Sequence, residues 1–438
     1  AVIDLLRGKV NAAYGGSLDE GITRRTLVNV PDKSTIIINN IFGGAYGNHI
    51  LPPCDVYESN VNYRSADARV NGKIYGGNNN VRRTIYAKVN INVPLRAENG
   101  YLGTVYGAGK GMETWAEYTE VNLEEGALVD EVYGGSEEGN VLNAESVEKY
   151  MIAYKSKPAG KLLEEDDTEW TDPDGWVNGE VGAGTLTPEY QTKWQKAWKA
   201  AWTIGDYFIP NDNYDNYVVN ENNYTNLSNP LVRSAEMDDR TDRPTKIYKY
   251  NTNVIIHKGA TVGTNAHGGY AYGGGYGKAG AGLSGGVFGT TYIALLGGTV
   301  IRDIYAACTS GEVVDVFGVG AYNSESNPKG FAASANAYIQ GGTCRNVYGA
   351  GWKGNVGSET IDGETHVVIG NKTGTSFTNG IPAIQRNAYA GGEGETKNNV
   401  TEGSTVFGAA NVTLYNGYIG YTYNEAGTDD PATNDIDE

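Results

Sequence analysis

Residues that commonly carry chemistry are scarce in this chain of 438 residues, which has only three cysteines and four histidines. An odd and sparse set of cysteines excludes a disulfide framework, and no Cys-x-x-Cys pair offers half of a structural zinc site. The histidines are isolated from one another, so the spacing of a catalytic zinc centre is missing as well. The sequence therefore predicts no catalytic residue, no metal ligand and no cofactor.

Long apolar runs and an excess of positive charge are also missing. The most apolar stretch, residues 292–301, contains glycines and falls far short of the ~18–20 residues that span a bilayer. Lysine and arginine number 34 against 52 acidic residues, which gives a formal net charge of −18. Because an acidic surface repels phosphate groups, nucleic acid and anionic membranes are disfavoured as partners.

Glycine is abundant, with 62 of 438 residues, and much of it follows an aromatic residue. A phrase of one apolar residue, one aromatic residue and one or two small residues recurs, as in Val132-Tyr133-Gly134-Gly135. Its aromatic positions are Tyr14, Phe42, Tyr75, Tyr106, Tyr133, Tyr272, Phe288, Tyr305, Phe317, Tyr348, Tyr389 and Phe407. The first five lie 28, 33, 31 and 27 residues apart. A period near 30 residues is typical of stacked repeat architectures.

A second phrase precedes many copies of the first. Two apolar residues alternate with polar ones, as in Val121 and Leu123, so both side chains point to one face of a strand. A glycine and one further apolar residue follow, as in Gly126 with Leu128. Cys344 occupies this last position in its unit, which indicates a packing role for its thiol. The unit is thus a short strand, a glycine corner, a short strand ending in an aromatic residue, and a glycine turn.

A unit of this size cannot bury its own apolar face, whereas stacked copies form a continuous core. The sequence therefore predicts an all-β fold, a parallel β-solenoid with a right-handed β-helix favoured, interrupted by a partly helical insertion. A β-propeller is the competing fold, but its blades need four strands in ~40–50 residues. The expected divisions are solenoid at 1–139, insertion at 140–249, solenoid at 250–425 and an acidic tail at 426–438.

These repeats resemble those of the secreted and cell-surface parallel β-helix proteins of gut Bacteroidota and related anaerobes, in which Val-Tyr-Gly-Gly phrases stack in this manner. The resemblance covers about residues 1–140 and 250–425. It implies an exported protein that is extracellular or displayed on the cell surface. It transfers no catalytic residue, because the matching motif is structural.

The insertion is rich in aromatic residues. Thr187-Pro188-Glu189 is a favourable helix start, and Trp194, Trp198 and Trp202 then recur on one stripe, so a helix packed on the solenoid is expected over 188–204. Insertions in solenoids often carry binding surfaces, and sugar rings stack on exposed aromatic faces. The rings expected to be free to meet a ligand are Trp170, Trp176, Tyr214, Tyr217 and Tyr224.

Acidic residues are the alternative candidates, as the catalytic groups of a polysaccharide-cleaving enzyme. They are Asp130, Glu131, Glu137 and Glu138 around one turn, with Asp303 and Asp315 each two residues before an aromatic residue. Other units place Lys73, Thr104 or Asn346 in the slot of Glu131. A position that accepts such different side chains indicates a polar column rather than a catalytic group.

Three functions fit these features. The favoured one is a non-catalytic surface protein, an adhesin or glycan-binding module whose partner is a polysaccharide or a host or cell-surface glycan. The second is a β-helix polysaccharide lyase or hydrolase. The third is a structural subunit or spacer that meets further chains of a surface assembly.

Overall fold

The computed structural model describes residues 1–18, 21–47, 54–80, 83–111, 114–142, 250–277, 284–311, 313–314, 333–357, 363–372, 380–397, 400–423 and 429–431, with four two-residue strands between 162 and 181. Every regular element in these ranges is a β-strand. No helix there is long and apolar enough to cross a membrane.

The strands follow in chain order. They are β1 (Val2–Asp4), β2 (Arg7–Tyr14), β3 (Gly21–Val30), β4 (Thr35–Phe42), β5 (Cys54–Tyr63), β6 (Arg69–Val70), β7 (Lys73–Tyr75), β8 (Arg83–Ile91), β9 (Thr104–Tyr106), β10 (Trp115–Leu123), β11 (Leu128–Val129), β12 (Glu131–Tyr133), β13 (Asn140–Leu142), β14 (Leu162–Leu163), β15 (Glu169–Trp170), β16 (Trp176–Val177), β17 (Glu180–Val181), β18 (Thr252–His257), β19 (Thr261–Val262), β20 (Tyr270–Tyr272), β21 (Val287–Phe288), β22 (Thr290–Val300), β23 (Asp303–Tyr305), β24 (Val313–Val314), β25 (Ala333–Tyr348), β26 (Gly363–Ile369), β27 (Ala383–Tyr389), β28 (Glu395–Lys397), β29 (Val400–Glu402), β30 (Ala410–Leu414), β31 (Tyr418–Ile419), β32 (Tyr421–Tyr423) and β33 (Asp429–Pro431).

Twenty-five of these strands form one parallel sheet in which each strand pairs with its equivalent one turn of chain later. This pairing makes a β-solenoid with three strand-bearing faces per coil. Face A stacks β3, β5, β8, β10, β18 and the first part of β22 in that order. Face B contains the short strands such as β11 and β19, and face C contains the aromatic strands such as β9, β12 and β20. The predicted parallel stacking of the repeat is confirmed.

The predicted inward residues form the core. Val105, Val132 and Val347 are fully buried and lie in one row on face C, each directly before its aromatic residue. Val105 pairs with Val132, and Ala271 and Ile304 connect Val132 to Val347. Cys344 is also buried in the core, which raises the pKa of its thiol and agrees with a packing role. Glycine occupies corners of the coil. Gly126, for example, has a φ of +90°, which disfavours other residues.

The aromatic side chains stack outside this core as a separate ladder. Nine rings follow one another with centroids 4.6–5.3 Å apart and planes within 15° of parallel. They belong to Tyr14, Phe42, Tyr75, Tyr106, Tyr133, Tyr272, Tyr305, Tyr348 and Tyr389. Offset stacking of this kind adds to the energy of burial in every coil.

Not every aromatic-glycine phrase belongs to the ladder. Phe288 lies in β21, which pairs with β13 on face A, so its assignment to the aromatic column was wrong. Phe407 donates its backbone N–H to Val356 and is likewise outside the column, while Phe317 is outside the described residues. The phrase alone does not specify which face of the coil it occupies.

Polar columns run beside the apolar ones. Buried hydroxyls on face A donate to the carbonyl that follows the aromatic residue of the same coil, as Thr119 does to Gly134 at 2.5 Å. On the outer side of face A, the amide of Asn90 donates to Asn62 at 2.8 Å and accepts from Asn122 at 3.0 Å. Such ladders satisfy polar groups that would otherwise be desolvated without partners.

An ion pair reinforces this face. Glu120 on β10 lies 2.7 Å from Lys88 on β8 and accepts hydrogen bonds from Tyr86 and Asn122. Burial by itself would raise the pKa of Glu120, but the hydrogen bonds and the nearby lysine together hold it below its ordinary value.

The two longest gaps between described strands of the sheet begin at the same position of the coil. Strand β13 pairs with the start of β10, and β18 resumes the same face at Thr252, opposite Thr119. The long insertion therefore interrupts face A between Leu142 and Tyr250. Strands β24 and β25 bracket a second break, residues 315–332, at the same position two coils further on.

Candidate functional site

The connection from face B to face C is short in most coils and long in two. A single residue, Asp130, joins β11 to β12, and residues 301–302 join β22 to β23. In the coils on either side of Asp130, this corner is instead built by residues 96–103 and residues 263–269. The two longer corner loops therefore stand as walls on each side of Asp130.

The first wall is a small hairpin. Arg96 and Leu102 form an antiparallel bridge, and the backbone N–H of Ala97 donates to the carbonyl of Tyr101 at 2.9 Å. Gly100 makes the turn with a φ of +84°, where most other residues would be strained. The hairpin presents the side chain of Tyr101, which is 60% exposed.

The second wall is a loop fixed by its own hydroxyl and glycines. The hydroxyl of Thr264 accepts backbone N–H groups of Ala266 and His267 at 3.3 and 3.1 Å. Gly268 and Gly269 both have positive φ, and the N–H of Gly269 donates to the carbonyl of Asp130 at 2.8 Å. The loop thereby places the exposed ring of His267 edge-on to Tyr101, with centroids 5.6 Å apart.

The second loop can approach the carboxylate of Asp130 closely because residue 268 is a glycine. A Cβ atom on this residue would lie 2.0 Å from Oδ1 of Asp130. Only glycine therefore allows the loop to pack directly over the carboxylate.

Between the walls lies a cleft of about 350 Å³. It is lined by Arg96, Gly100, Tyr101, Leu102, Asp130, Thr264, His267 and Gly268. This volume falls within the usual range of small-molecule sites, about 300–1,000 Å³. An aromatic face, a carboxylate, a guanidinium and an imidazole thus converge on one concave surface.

Asp130 forms the floor of the cleft, and its pKa is shifted. Burial raises the pKa of Asp130 above its ordinary range, and the nearby His267 and Arg302 only partly oppose this effect. Arg302, in the coil beyond the second wall, donates to the hydroxyl of Tyr270 at 3.0 Å. Perturbed carboxyls in clefts are over-represented at functional sites.

Two of the other acidic candidates have hydrogen-bond or ion-pair partners of their own. Glu131 accepts the hydroxyl of Tyr133 at 2.8 Å, and burial raises its pKa. Glu137 lies 2.7 Å from Lys73 and accepts the hydroxyl of Tyr75, at the edge of the aromatic ladder.

Two further acidic positions were expected in the slot of Glu131. Asp303 is buried and held by Arg345 and Asn346. It pairs with Asn346, and Asn346 pairs with Asn387, so the polar column is confirmed on these residues. Asp315 lies outside the described residues.

The predicted ligand-binding rings stay predictions. Trp170 is in β15, which pairs antiparallel with β14, and Trp176 is in β16, which pairs antiparallel with β17. Tyr214, Tyr217 and Tyr224 lie outside the described residues, as does the helix expected over 188–204.

Ser284 lies in a sequence that matches a nucleophile motif, but the structure does not place it as a nucleophile. Gly282-Leu283-Ser284-Gly285-Gly286 matches Gly-x-Ser-x-Gly, whose serine normally stands exposed on a turn from a strand to a helix. Ser284 is instead buried and donates its hydroxyl to the carbonyl of Glu138 at 2.9 Å. The position is structural.

Sequence reasoning missed the cleft, although a signal was available. The ladder ring lies 10 positions after the last inward residue of face A in the unit of Leu123 and Tyr133. The separation is 15 from Ile91 to Tyr106 and 16 from Ile256 to Tyr272. Counting within each unit would have located these two enlarged units on either side of a short one, together with a third enlarged unit, from Ile369 to Tyr389, whose added residues come before face B.

Comparison of the chain with protein-family models, with curated proteins and with solved structures gives no match. Function must therefore be argued from the chain's own fold and cleft.

Proposed function

We propose that this protein is a non-catalytic glycan-binding solenoid of the extracellular space or cell surface, and that its glycan binds in the cleft lined by Tyr101, Asp130 and His267. The observation that carries the proposal is the exposed Tyr101 ring beside a concave set of polar groups. Sugar C–H faces pack on aromatic rings, while sugar hydroxyls pair with carboxylate and guanidinium groups. The cleft offers both kinds of contact within one site.

The scaffold supports this proposal in a second way. Corner loops stand outside the repeated columns of core, ladder and amide side chains, so they can vary without disturbing those columns. Among the acidic candidates outside the cleft, Glu131, Glu137 and Asp303 are engaged by tyrosine, lysine or arginine, as in the pairing of Glu137 with Lys73. Binding is therefore favoured over the alternative of polysaccharide cleavage.

We also infer two finer features of the architecture. Right-handed coiling is supported by the near-universal right-handedness of crossovers between parallel strands in one sheet. A helix over 188–204 is supported by the spacing of Trp194, Trp198 and Trp202, which places the three rings on one stripe.

The test uses the whole chain on an array of polysaccharides and oligosaccharides, followed by calorimetry with the best ligand. Tyr101→Ala should weaken binding about fivefold or more, since one ring contact contributes on the order of 1 kcal/mol. Tyr415→Ala is the matched control, because Tyr415 is 46% exposed but lies on the last coils.

Three results would contradict the proposal. Unchanged affinity of the Tyr101 variant would remove the cleft from binding. Loss of affinity confined to Trp170→Ala or Trp176→Ala would move the site to the insertion. Cleavage of a polysaccharide that disappears in Asp130→Asn would replace binding with catalysis.

A further inference from the structure

Three arginines follow the cleft along the same corner of the solenoid. Arg302, Arg345 and Arg386 join face B to face C in successive coils. Their equivalence follows from the register, in which Asp303 pairs with Asn346 and Asn346 with Asn387. The backbone N–H of Arg345 also donates to the carbonyl of Arg302 at 2.7 Å. Arginine thus recurs about every 4.8 Å, the spacing of neighbouring strands.

The carboxylates near this row are engaged or perturbed. Arg345 binds Asp303 through two nitrogens, with Nε 2.9 Å from Oδ1, so that pair is locally neutral. Glu131 accepts a hydrogen bond from a phenol. Arg302 lies close enough to Asp130 to oppose the effect of burial on its pKa, so the charge of that carboxylate is partly offset. Arg302 is half-buried against Tyr270, and Arg386 is exposed.

The row therefore presents positive charge on a protein whose formal net charge is −18. Arg96 and the imidazole of His267 lie at its cleft end. Arginine recognises carboxylate and sulfate-like oxygens with paired N–H donors. Because Asp303 neutralises Arg345, the charges of Arg302 and Arg386 lie two coils apart, about 9.6 Å. This spacing suits a sparsely charged polymer better than a nucleic acid, which carries one phosphate per ~3.4 Å of each strand.

We propose that the glycan of this site is an anionic polysaccharide, bearing carboxylate or sulfate groups, which lies parallel to the axis of the solenoid from the Tyr101 cleft along Arg302, Arg345 and Arg386. This inference rests on the proposed function and adds the charge class and the direction of the ligand. One sugar ring occupies the cleft, and its acidic neighbours meet the arginine row.

The test compares polygalacturonate with its fully methyl-esterified form, which has the same backbone without the charges. The whole chain should bind polygalacturonate at least about tenfold more tightly. Arg386→Gln should weaken this binding about two- to fivefold, the size expected of one surface ion pair, and should leave binding of the ester unchanged. Arg302→Gln combined with Arg386→Gln should lose most of the preference, and raised salt should do the same.

Arg64→Gln is the matched control, because it removes the same charge from an exposed residue at another corner. Chondroitin sulfate and its desulfated form test sulfate as the anion. A larger affinity difference between these two polymers than between polygalacturonate and its ester would assign sulfate rather than carboxylate.

Equal binding of polygalacturonate and its ester, lost in Tyr101→Ala, would overturn the charge class while leaving the proposed function standing. Binding of neither the carboxylated nor the sulfated polymer would overturn the inference, and failure on the whole array would overturn the proposed function too. Equal weakening by the Arg64 control would show that only overall charge matters. Tight binding of single-stranded DNA in competition with the polysaccharide would replace a glycan with a nucleic acid.

Discussion

The aromatic ladder allows a sharp test of what stabilises each coil, by changing neighbouring tyrosines whose hydroxyls differ in one hydrogen bond. The hydroxyl of Tyr106 makes no side-chain hydrogen bond within the described residues, whereas that of Tyr133 donates to Glu131 at 2.8 Å. Both rings are buried and stack on each other at 4.7 Å. Phe42 already occupies the ladder, so a phenylalanine ring fits the column.

The expected magnitudes follow from these contacts. Tyr106→Phe keeps both stacking contacts and should change the free energy of unfolding by less than about 0.5 kcal/mol. Tyr133→Phe removes the hydroxyl that donates to Glu131 and should cost about 1–2 kcal/mol. Tyr106→Leu removes two ring contacts, each of about 0.5–1.5 kcal/mol, and leaves a void, so about 2–4 kcal/mol is expected.

The assay is urea denaturation of the whole chain, followed by far-UV circular dichroism and by intrinsic fluorescence. Coincident transitions of the two signals allow the shift in midpoint to be read as a free energy. Equal losses for Tyr106→Phe and Tyr133→Phe would show that the hydrogen bond to Glu131 is not responsible. Wild-type stability of Tyr106→Leu would show that stacking in the ladder contributes nothing.

Three further substitutions test the core, the cleft and the ion pair. Val132→Asp buries a charge among apolar side chains and should lower the free energy of unfolding by at least about 3 kcal/mol, whereas Asn387→Asp at an exposed position should not. Gly268→Ala forces a Cβ onto the carboxylate and the backbone carbonyl of Asp130 at a positive φ, so it should weaken glycan binding in calorimetry and also lower the urea midpoint. Glu120→Gln should be less stable than the wild type at pH 7, and the difference should shrink in denaturation series taken below about pH 4.3, the unfolded value.

The sign of the last expectation follows from the pKa of Glu120, which is lower in the folded chain than in the unfolded one. Its stabilisation is present above the unfolded pKa and is lost as the pH falls through the folded pKa. A difference that grew on acidification would contradict the ion pair. For Gly268→Ala, unchanged affinity would show that the loop does not control Asp130, and Gly391→Ala, where a Cβ would meet open space, is its control.

Much of the fold could be predicted because every coil needs the same kinds of side chain at the same positions of the repeat. Val132 must be apolar and Tyr133 must stack, and these demands recur at a spacing that the sequence displays directly. Parallel pairing then follows, since a unit too small to bury its own core must share it with the next. The exceptions, such as Phe288, arise because one short phrase satisfies the packing of more than one face.

The site could not be predicted in the same way, because it depends on what differs between coils. Tyr101 and His267 are 166 positions apart in the sequence. They meet because their corner loops project from the two coils on either side of the coil of Asp130. Neither residue matches a motif, and no apolar periodicity surrounds them. Their relation is visible only when the length of one corner is compared from coil to coil.

The contrast between ladder and cleft bears on where function can reside in such a solenoid. A change in a stacked column disturbs two neighbours, so Tyr106 is constrained by Tyr75 on one side and Tyr133 on the other. A corner loop is free of that constraint and can bury a group that a tight corner would leave in water. The raised pKa of Asp130 marks such a burial, which destabilises the ionised fold at neutral pH. Since a column of valines and tyrosines would hold the coil without this carboxylate, its burial under a glycine-dependent loop fits the proposed ligand site better than a role in stability.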